Sequence, residues 1–252
     1  LLSADVSAVS DADGLGTFSY EWLRNGRSIA DETGQSYVLT QEDVGAEISV
    51  RASWTDGHGA AESLTSEVAG PIANVNDLPA GAVTITSTAE EDQTLTADTS
   101  TLADEDGLGT LGLQWLRDGT PIDGATGETY QLTQDDVGAE ISVQVNWTDG
   151  QGTAESVTSG ATDPVANVND PPTGSVTISG TAAEDQTLTA DTSTLADEDG
   201  LGTLGLQWLR DGIPIDGATG ESYQLTQDDV GAEISVQVDW TDGQGTVEGV
   251  TS

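Results

Sequence analysis

The stretch LGLQWLRDG, from Leu111 to Gly119, decides the fold of this chain. Leu111, Leu113 and Trp115 alternate with small or polar residues, so that the three side chains share one face of an extended strand. The Asp118-Gly119 pair that follows is among the dipeptides that favour a two-residue hairpin turn. This pattern predicts a half-buried β-strand that opens a hairpin.

The same alternation continues on both sides of this stretch. Alternating segments rich in β-branched residues lie at 82–88, 94–98, 129–133, 140–147 and 153–159. No helical periodicity competes with them, and about seven short strands in one repeat are typical of an antiparallel β-sandwich. We therefore predict an all-β chain with Trp115 and Trp147 in the core, because buried aromatic residues contribute much of the stability of a small sandwich.

The chain is built from repeats of 93 residues. Trp22, Trp115 and Trp208 each lie in a WLR motif, and successive copies are 93 residues apart. The polar segment ANVND, which begins at Ala73 and again at Ala166, recurs at the same interval. Because this period is too long for one coil of a solenoid, we predict tandem domains in a linear array. The predicted domains span residues 1–75, 76–168 and 169–252, and we expect the first to lack its opening strand and the third its exit linker.

The composition is strongly acidic. The 252 residues include 45 Asp and Glu against five basic residues, all of them arginine, for a formal net charge of −40. Nucleic acid is a poor partner, because phosphate contacts need clustered basic side chains. Anionic membrane surfaces are poor partners for the same reason, and no segment approaches the roughly 20 apolar residues of a membrane span. The charge favours a cationic partner, and metal ions are the simplest of these.

The inventory of reactive side chains argues against an enzyme. The chain has no cysteine, which excludes disulfides and thiolate metal sites, and it has a single histidine, His58. Gln151 and Gln244 replace His58 in the other two copies, so no catalytic arrangement recurs. We predict no catalytic activity.

The segment LQWLRDG, followed by YQLTQDDVGAEISVQV, resembles an immunoglobulin-type domain. A tryptophan lies on the third strand, a hairpin follows it, and DVGAEI stands where such domains carry Asp-x-Gly-x-Tyr before the sixth strand. Both cysteines and the corner tyrosine are missing, as is common in bacterial immunoglobulin-like repeats. The whole unit also resembles repeats of very large secreted bacterial adhesins with calcium-binding repeats, of the RTX-adhesin type.

Four acidic motifs recur in each repeat. They are the linker NVND and the loops DEDGLG, TQDDVG and TDGQG, which begin at Asp104, Thr133 and Thr148 in the second copy. Their order and chemistry resemble cadherin repeats, which carry an Asp-x-Asn-Asp-like linker, an Asp-x-Asp, an acid before the sixth strand and Ala-x-Asp-Gly after it. The resemblance implies calcium ions at the two junctions between domains.

The resemblance also implies which residues bind the ions. At the first junction these are Asp43, Asn74, Asn76, Asp77, Asp104, Asp106 and Asp149. At the second junction these are Glu91, Asp136, Asn167, Asn169, Asp170, Asp197, Asp199 and Asp242. Asp136 falls where the cadherin acid precedes the sixth strand, and Glu91 falls where the cadherin first-strand glutamate lies.

Calcium suits these side chains on physical grounds. Ca²⁺ takes six to eight hard oxygen ligands from carboxylates, amides and carbonyls, whereas Mg²⁺ prefers rigid octahedral sites and keeps its waters. Carboxylates gathered without a cation repel one another by several kcal/mol at about 4 Å in a partly buried site. An array that gathers them at every junction therefore implies a counter-ion.

Two other interpretations of the acidic motifs stay open. Asp and Asn before Gly are common turn formers, so DGLG and DGQG can be turns without a ligand, and Asp136 can simply cap a corner turn. DxDGxG also resembles the first half of an EF-hand loop without its distal glutamate. Each loop could then bind an ion within its own domain instead of at the junction.

We expect a non-enzymatic, extracellular stalk of a bacterial surface or secreted adhesin, with junctions that calcium stiffens. Such a stalk would project an adhesive tip or span a biofilm matrix, with calcium ions, neighbouring repeats and cell-surface or matrix components as its partners. The alternatives are a repeat unit of an extracellular filament or sheath and a glycan-binding module. Glycan binding is the weaker of these, because no aromatic pair lies on an outward strand face.

Overall fold

The computed structural model describes every residue from Leu1 to Ser252, and its only regular elements are β-strands and short 3₁₀ turns. The first repeat contains β1 (Leu2–Ser3), β2 (Ser19–Arg24), β3 (Arg27–Ser28), β4 (Ser36–Tyr37), β5 (Ile48–Thr55) and β6 (Ala61–Thr65). The second contains β7 (Thr84–Thr86), β8 (Thr94–Asp98), β9 (Gly112–Arg117), β10 (Thr120–Pro121), β11 (Thr129–Gln131), β12 (Ile141–Thr148) and β13 (Ala154–Thr158). The third contains β14 (Thr177–Gly180), β15 (Thr187–Asp191), β16 (Gly205–Arg210), β17 (Ile213–Pro214), β18 (Ser222–Gln224), β19 (Ile234–Thr241) and β20 (Val247–Thr251). The 3₁₀ turns are Gln41–Asp43, Gln134–Asp136 and Gln227–Asp229.

The residues divide into two compact units. The first unit comprises Leu1–Val83, Thr99–Gly112 and Gln144–Thr158, and the second comprises Thr84–Asp98, Leu113–Val143 and Ser159–Ser252. The whole first repeat therefore lies in the first unit and the whole third repeat in the second, while the second repeat contributes to both. The structure has no helix with the length and apolar character needed to span a membrane.

The third repeat shows the sandwich within one unit. Its sheets have the strand orders β14-β15-β18 and β17-β16-β19-β20, and every pairing is antiparallel. Side chains from both sheets form a buried core of Val176, Leu188, Leu195, Trp208, Leu225, Val236, Val238 and Trp240. Alternation along β19 places Val236, Val238 and Trp240 on the core face, as the period of a strand requires.

The other repeats follow the same order of strands. The sheets of the first repeat are β1-β4 and β3-β2-β5-β6, and it has no counterpart of β7 or β14. The sheets of the second repeat are β11-β8-β7 and β10-β9-β12-β13. The predicted fold, all-β with immunoglobulin-like antiparallel sandwiches of about seven strands, is confirmed.

The motif WLRDG behaves as predicted in the second repeat. Trp115 is 0% exposed, and its indole N–H donates to the carbonyl of Gly127 at 2.9 Å. Asp118 and Gly119 both have positive φ, at 48° and 75°, as the type I′ hairpin turn demands. Trp147 is also buried, so the prediction that both tryptophans lie in the core is confirmed.

The aspartate before the sixth strand has a structural role. Asp136 is fully buried, and its Oδ1 forms a salt bridge with Nη2 of Arg117 at 2.7 Å. Its Oδ2 accepts hydrogen bonds from the Tyr130 hydroxyl and from the backbone N–H of Thr133, both at 2.9 Å. Both oxygens are thus satisfied by the protein, which a buried carboxylate requires. These contacts match the interpretation in which Asp136 caps a corner turn.

Asp43 has the same surroundings. It is fully buried, and it accepts hydrogen bonds from Arg24, from the Tyr37 hydroxyl and from the N–H of Thr40. A buried carboxylate that is already paired with a guanidinium has little to gain from a metal ion. Asp43 and Asp136 therefore do not belong to the ligand set that we propose.

Replacement of the third corner aspartate, Asp229, is expected to destabilise the third repeat. Burial by itself would raise the pKa of Asp229, but the N–H of Thr226 and the side chains of Arg210 and Tyr223 hold that pKa below its ordinary range. A lowered pKa contributes stability that is fully present above the ordinary aspartate pKa and is lost as the pH falls towards the lowered value. Asp229→Asn should cost roughly 1–3 kcal/mol near neutral pH and should lose less stability than the wild type on acidification. Hydrogen exchange of the β16 and β19 amides measures both effects, and parallel pH profiles would contradict the assignment.

Candidate metal centre

Three carboxylates meet where the second linker joins the third repeat. Glu91 lies in the turn between β7 and β8, Asp170 lies in the linker, and Asp199 lies in the loop between β15 and β16. One oxygen atom from each carboxylate lies within 4.8 Å of the other two. Glu91 is 2% exposed and Asp199 is 4% exposed, whereas Asp170 is half-buried, so two of the three carboxylates are withdrawn from water.

Backbone hydrogen bonds of the linker bring these side chains together. The N–H of Glu91 donates to the carbonyl of Ala166 at 2.9 Å, which ties the linker to the second repeat. Two residues further on, the N–H of Val168 donates to Glu91 Oε2 at 3.2 Å. The N–H of Asp170 then donates to Asp199 Oδ2 at 2.9 Å, which ties the linker to the third repeat.

The electrostatics of this cluster are unfavourable without a cation. Burial raises the pKa of Glu91, the Val168 N–H lowers it, and the charges of Asp170 and Asp199 raise it again, so that the pKa lies above its ordinary value. No salt bridge of the chain involves any of the three carboxylates. Like charges this close and this buried are destabilising unless a counter-ion lies among them.

A second acidic group lies at the same end of the third repeat. Asn169 Nδ2 donates to Oε1 of Glu248, on strand β20, at 2.9 Å. That bond lowers the pKa of Glu248, but Asp197, burial and the charge of Asp242 raise it, with a net increase. Asp197 is anchored to the core because the indole N–H of Trp240 donates to its Oδ2 at 3.2 Å.

Several buried oxygen atoms around the second linker have no hydrogen-bond donor. They are Gln134 Oε1, Asn167 Oδ1, Asp199 Oδ1, Asp242 Oδ2 and Glu248 Oε2. Unpaired buried acceptors are costly, and native structures rarely keep them without a ligand, an ion or water. With Glu91 and Asp170 they supply the carboxylate and amide oxygens that Ca²⁺ prefers. The residues present therefore fit a calcium ion.

The first linker repeats this design within the first unit. The N–H of Asp77 donates to Asp106 Oδ2 at 2.8 Å, and Asn76 Nδ2 donates to Glu155 Oε1 at 2.7 Å. Asp149 Oδ2 is buried without a donor, as Asp242 Oδ2 is in the third repeat. The same contacts thus recur at the interval of 93 residues.

The structure places the ligand residues suggested by the sequence in two kinds of location. Those that lie in or beside the linker clusters are Asn74, Asn76, Asp77, Asp104, Asp106 and Asp149 at the first linker, and Glu91, Asn167, Asn169, Asp170, Asp197, Asp199 and Asp242 at the second. Asp43 and Asp136 lie apart, in the arginine-paired corners.

Four residues of the clusters were missed from the sequence. Glu155 and Glu248 lie on strands, where alternation suggests only a solvated face, and Gln41 and Gln134 precede the corner aspartates. The signal that could have found them is periodicity, because each pair recurs at 93 residues together with the acidic motifs.

No protein-family model and no curated protein matches the chain. Among solved structures, the chain is similar to the D1–D4 fragment of the ICAM-5 ectodomain, with 14% identity, a TM-score of 0.42, and coverage of 98% of this chain and 69% of that one. It is similar to a Ca²⁺-stabilized adhesin with which an Antarctic bacterium binds ice, with 14% identity, a TM-score of 0.31, and coverage of 97% and 65%. It is also similar to a tetra-tandem repeat from the extending region of a large adhesion protein, with 16% identity, a TM-score of 0.30, and coverage of 95% and 66%. The chain thus spans about two thirds of the length of each of these proteins.

Neutralisation of Glu91 is expected to have opposite effects with and without calcium. Glu91→Gln removes one of the crowded charges, so it should raise the melting temperature in EDTA by a few degrees. The same change removes a charged ligand, so it should reduce the increase in melting temperature that calcium produces. Calorimetric melting in EDTA and in millimolar Ca²⁺ measures both effects, with Glu128→Gln, an exposed site in the same repeat, as the control. A shift of the same sign in both conditions would argue against a cation at this cluster.

Proposed function

We propose that this chain is a calcium-stiffened stalk of tandem sandwiches, part of a bacterial surface or secreted adhesin. One observation carries the proposal: at the second linker, three carboxylates lie within 4.8 Å of one another, and Oδ1 of Asp199 and Oδ1 of the linker residue Asn167 are buried without a donor. The nearby donors are linker N–H groups and amides, and none of the five arginines forms a salt bridge there. A cation is the partner that this arrangement needs.

The chemistry of the ligands selects calcium among the common metal ions. A chain without cysteine and with one histidine offers no set of nitrogen or sulfur ligands for zinc. The ligands are carboxylate and amide oxygens from several separate segments, which suits the larger and more flexible coordination of Ca²⁺ better than the octahedron of Mg²⁺.

The ion would connect neighbouring repeats. In our division of the chain, Glu91 belongs to the repeat 76–168, whereas Asp170, Asp199 and Asp242 belong to the repeat 169–252. An ion that binds only the ordered junction stabilises it by RT ln(1 + [L]/Kd), about 2.7 kcal/mol at a hundredfold excess over Kd. Millimolar calcium outside a cell would stiffen the array, and low calcium inside would leave it flexible. This supports an extracellular location and a mechanical function without catalysis.

The remaining charge fits the same function. Two junctions with a few divalent ions each offset only a small part of the net charge of −40. The rest keeps near-identical sandwiches from associating through their sheet edges. The partners we propose are calcium ions, adjacent repeats and cell-surface or matrix components, with no nucleic acid and no membrane insertion.

Removal of the Asp-x-Asp pair of the third repeat should abolish calcium binding at the second junction. Asp197→Ala with Asp199→Ala deletes two carboxylates of that centre, so titration calorimetry should show about half of the wild-type calcium bound when the first junction is intact. The matched control is Asp11→Ala with Asp13→Ala, the same motif in the first repeat, where Asp13 is mostly exposed. A wild-type titration curve for the first variant would contradict the proposed centre.

Calcium should also change the dimensions of the chain. We expect small-angle scattering to give a larger and more sharply defined maximum dimension in millimolar Ca²⁺ than in EDTA, because fixed junctions suppress bending. Magnesium at the same concentration serves as the control for ionic strength and should have a smaller effect. Identical profiles in EDTA and calcium would overturn the stalk mechanism.

A further inference from the structure

The glutamine that begins the 3₁₀ turn of the first repeat lies beside a candidate metal centre. In the first repeat, Gln41 Nε2 donates to Asp106 Oδ1 at 2.7 Å and to Asn74 Oδ1 at 3.5 Å. A side-chain amide nitrogen is a donor with partial positive charge. At the first linker, the amide therefore satisfies two oxygens that belong to the candidate metal centre.

The same side chain is oriented differently at the second linker. Gln134 is the counterpart of Gln41, and its Oε1 is buried without a donor. Asn167 Oδ1 and Asp199 Oδ1, the counterparts of the two oxygens that Gln41 satisfies, are also buried without a donor. At the positions where the first linker has one donor and two acceptors, the second linker thus has three buried acceptors without a donor, an arrangement that a cation would stabilise.

The third copy of the glutamine also contacts a carboxylate. With its amide nitrogen on the side that faces the acid, Gln227 donates to Glu184 Oε1 at 3.1 Å. Glu184 is the counterpart of Glu91. The amide at this glutamine position therefore lies beside an acidic oxygen in the first and third repeats, and in the second repeat its Oε1 is buried without a donor.

We propose that Gln41 and Gln134 are switchable ligands of the two metal centres. In one orientation, that of Gln41, the amide nitrogen donates to the neighbouring Asp and Asn and compensates them without an ion. With Ca²⁺, the amide turns over and Oε1 joins the ligands. A rotation about the terminal torsion exchanges the nitrogen and the oxygen, and that torsion is soft. This inference rests on the proposed function, since it assigns a further ligand to the same centre.

The corner of the sandwich holds the glutamine in place. Gln134 is the first residue of a 3₁₀ turn whose start is fixed by the reciprocal capping contacts of Thr133 and Asp136. Asp136 is in turn fixed by its salt bridge to Arg117. The backbone of Gln134 is therefore rigid, and binding an ion orders only its side chain, at a small entropic cost.

Two variants and one control test this assignment. Gln134→Ala removes the amide and should weaken calcium binding at the second junction roughly tenfold, as loss of a supporting ligand does. Gln134→Glu keeps the length but adds a charged oxygen, and it should strengthen binding because the charge of the ligand set raises affinity. Gln227→Ala, at the far end of the third repeat, should leave both affinities unchanged. Titration calorimetry gives the affinities, and the side-chain amide resonances of ¹⁵N-labelled protein report the reorientation of Gln41 and Gln134 on calcium addition.

The possible results separate this proposal from the proposed function. Wild-type affinity in both Gln134 variants, together with lost binding in Asp197→Ala with Asp199→Ala, would overturn the glutamine assignment and leave the calcium centre standing. Amide resonances of Gln41 and Gln134 that do not move on saturation with calcium would also overturn it. A wild-type chain that binds no calcium at millimolar concentration would overturn both proposals.

Discussion

Mutual repulsion of the carboxylates gathered at the second linker is the constraint on which the rest of this structure depends. Backbone N–H groups of the linker hold Glu91, Asp170 and Asp199 within 4.8 Å of one another, although each carries the same charge. Such an arrangement has a high energy unless a cation joins it. The linker is therefore both the connection between repeats and the place where the proposed cation would act.

The few basic residues do not neutralise the linker carboxylates. Three of the five arginines, Arg24, Arg117 and Arg210, each pair with the buried aspartate of one corner. These corners are complete without any ligand, because guanidinium, tyrosine hydroxyl and backbone N–H satisfy both carboxylate oxygens. No arginine forms a salt bridge with the linker acids. Aspartate is therefore a structural residue in the corner loop, whereas in the linker its carboxylate is available to an ion.

The corner and the metal centre are connected through a single turn. The aspartate that ends each 3₁₀ turn faces the arginine, and the glutamine that begins the turn is next to the linker oxygens in the first repeat. A rigid, ligand-independent corner therefore positions a side chain of the centre. Since the amide can present either a donor or an acceptor, in our proposal it compensates the acids in the absence of an ion and would bind the ion when one is present.

The sequence by itself determined the repeat of 93 residues, the antiparallel sandwich, the tryptophan core and the acidic linkers, because periodicity and residue type are local properties of a chain. It did not distinguish Asp136 from Asp199, which both lie in acidic loops at recurring positions. Only the tertiary structure decided that Arg117 and Tyr130 satisfy Asp136, while Oδ1 of Asp199 is buried without a donor. The tertiary structure also added residues to the two linker clusters. Glu155 and Glu248 come from strands, and Gln41 and Gln134 come from 3₁₀ turns, all distant in sequence from the linker they approach. The physical reason is that the partners of a buried carboxylate come from residues distant in sequence, and only the fold determines whether a donor reaches each of its oxygens.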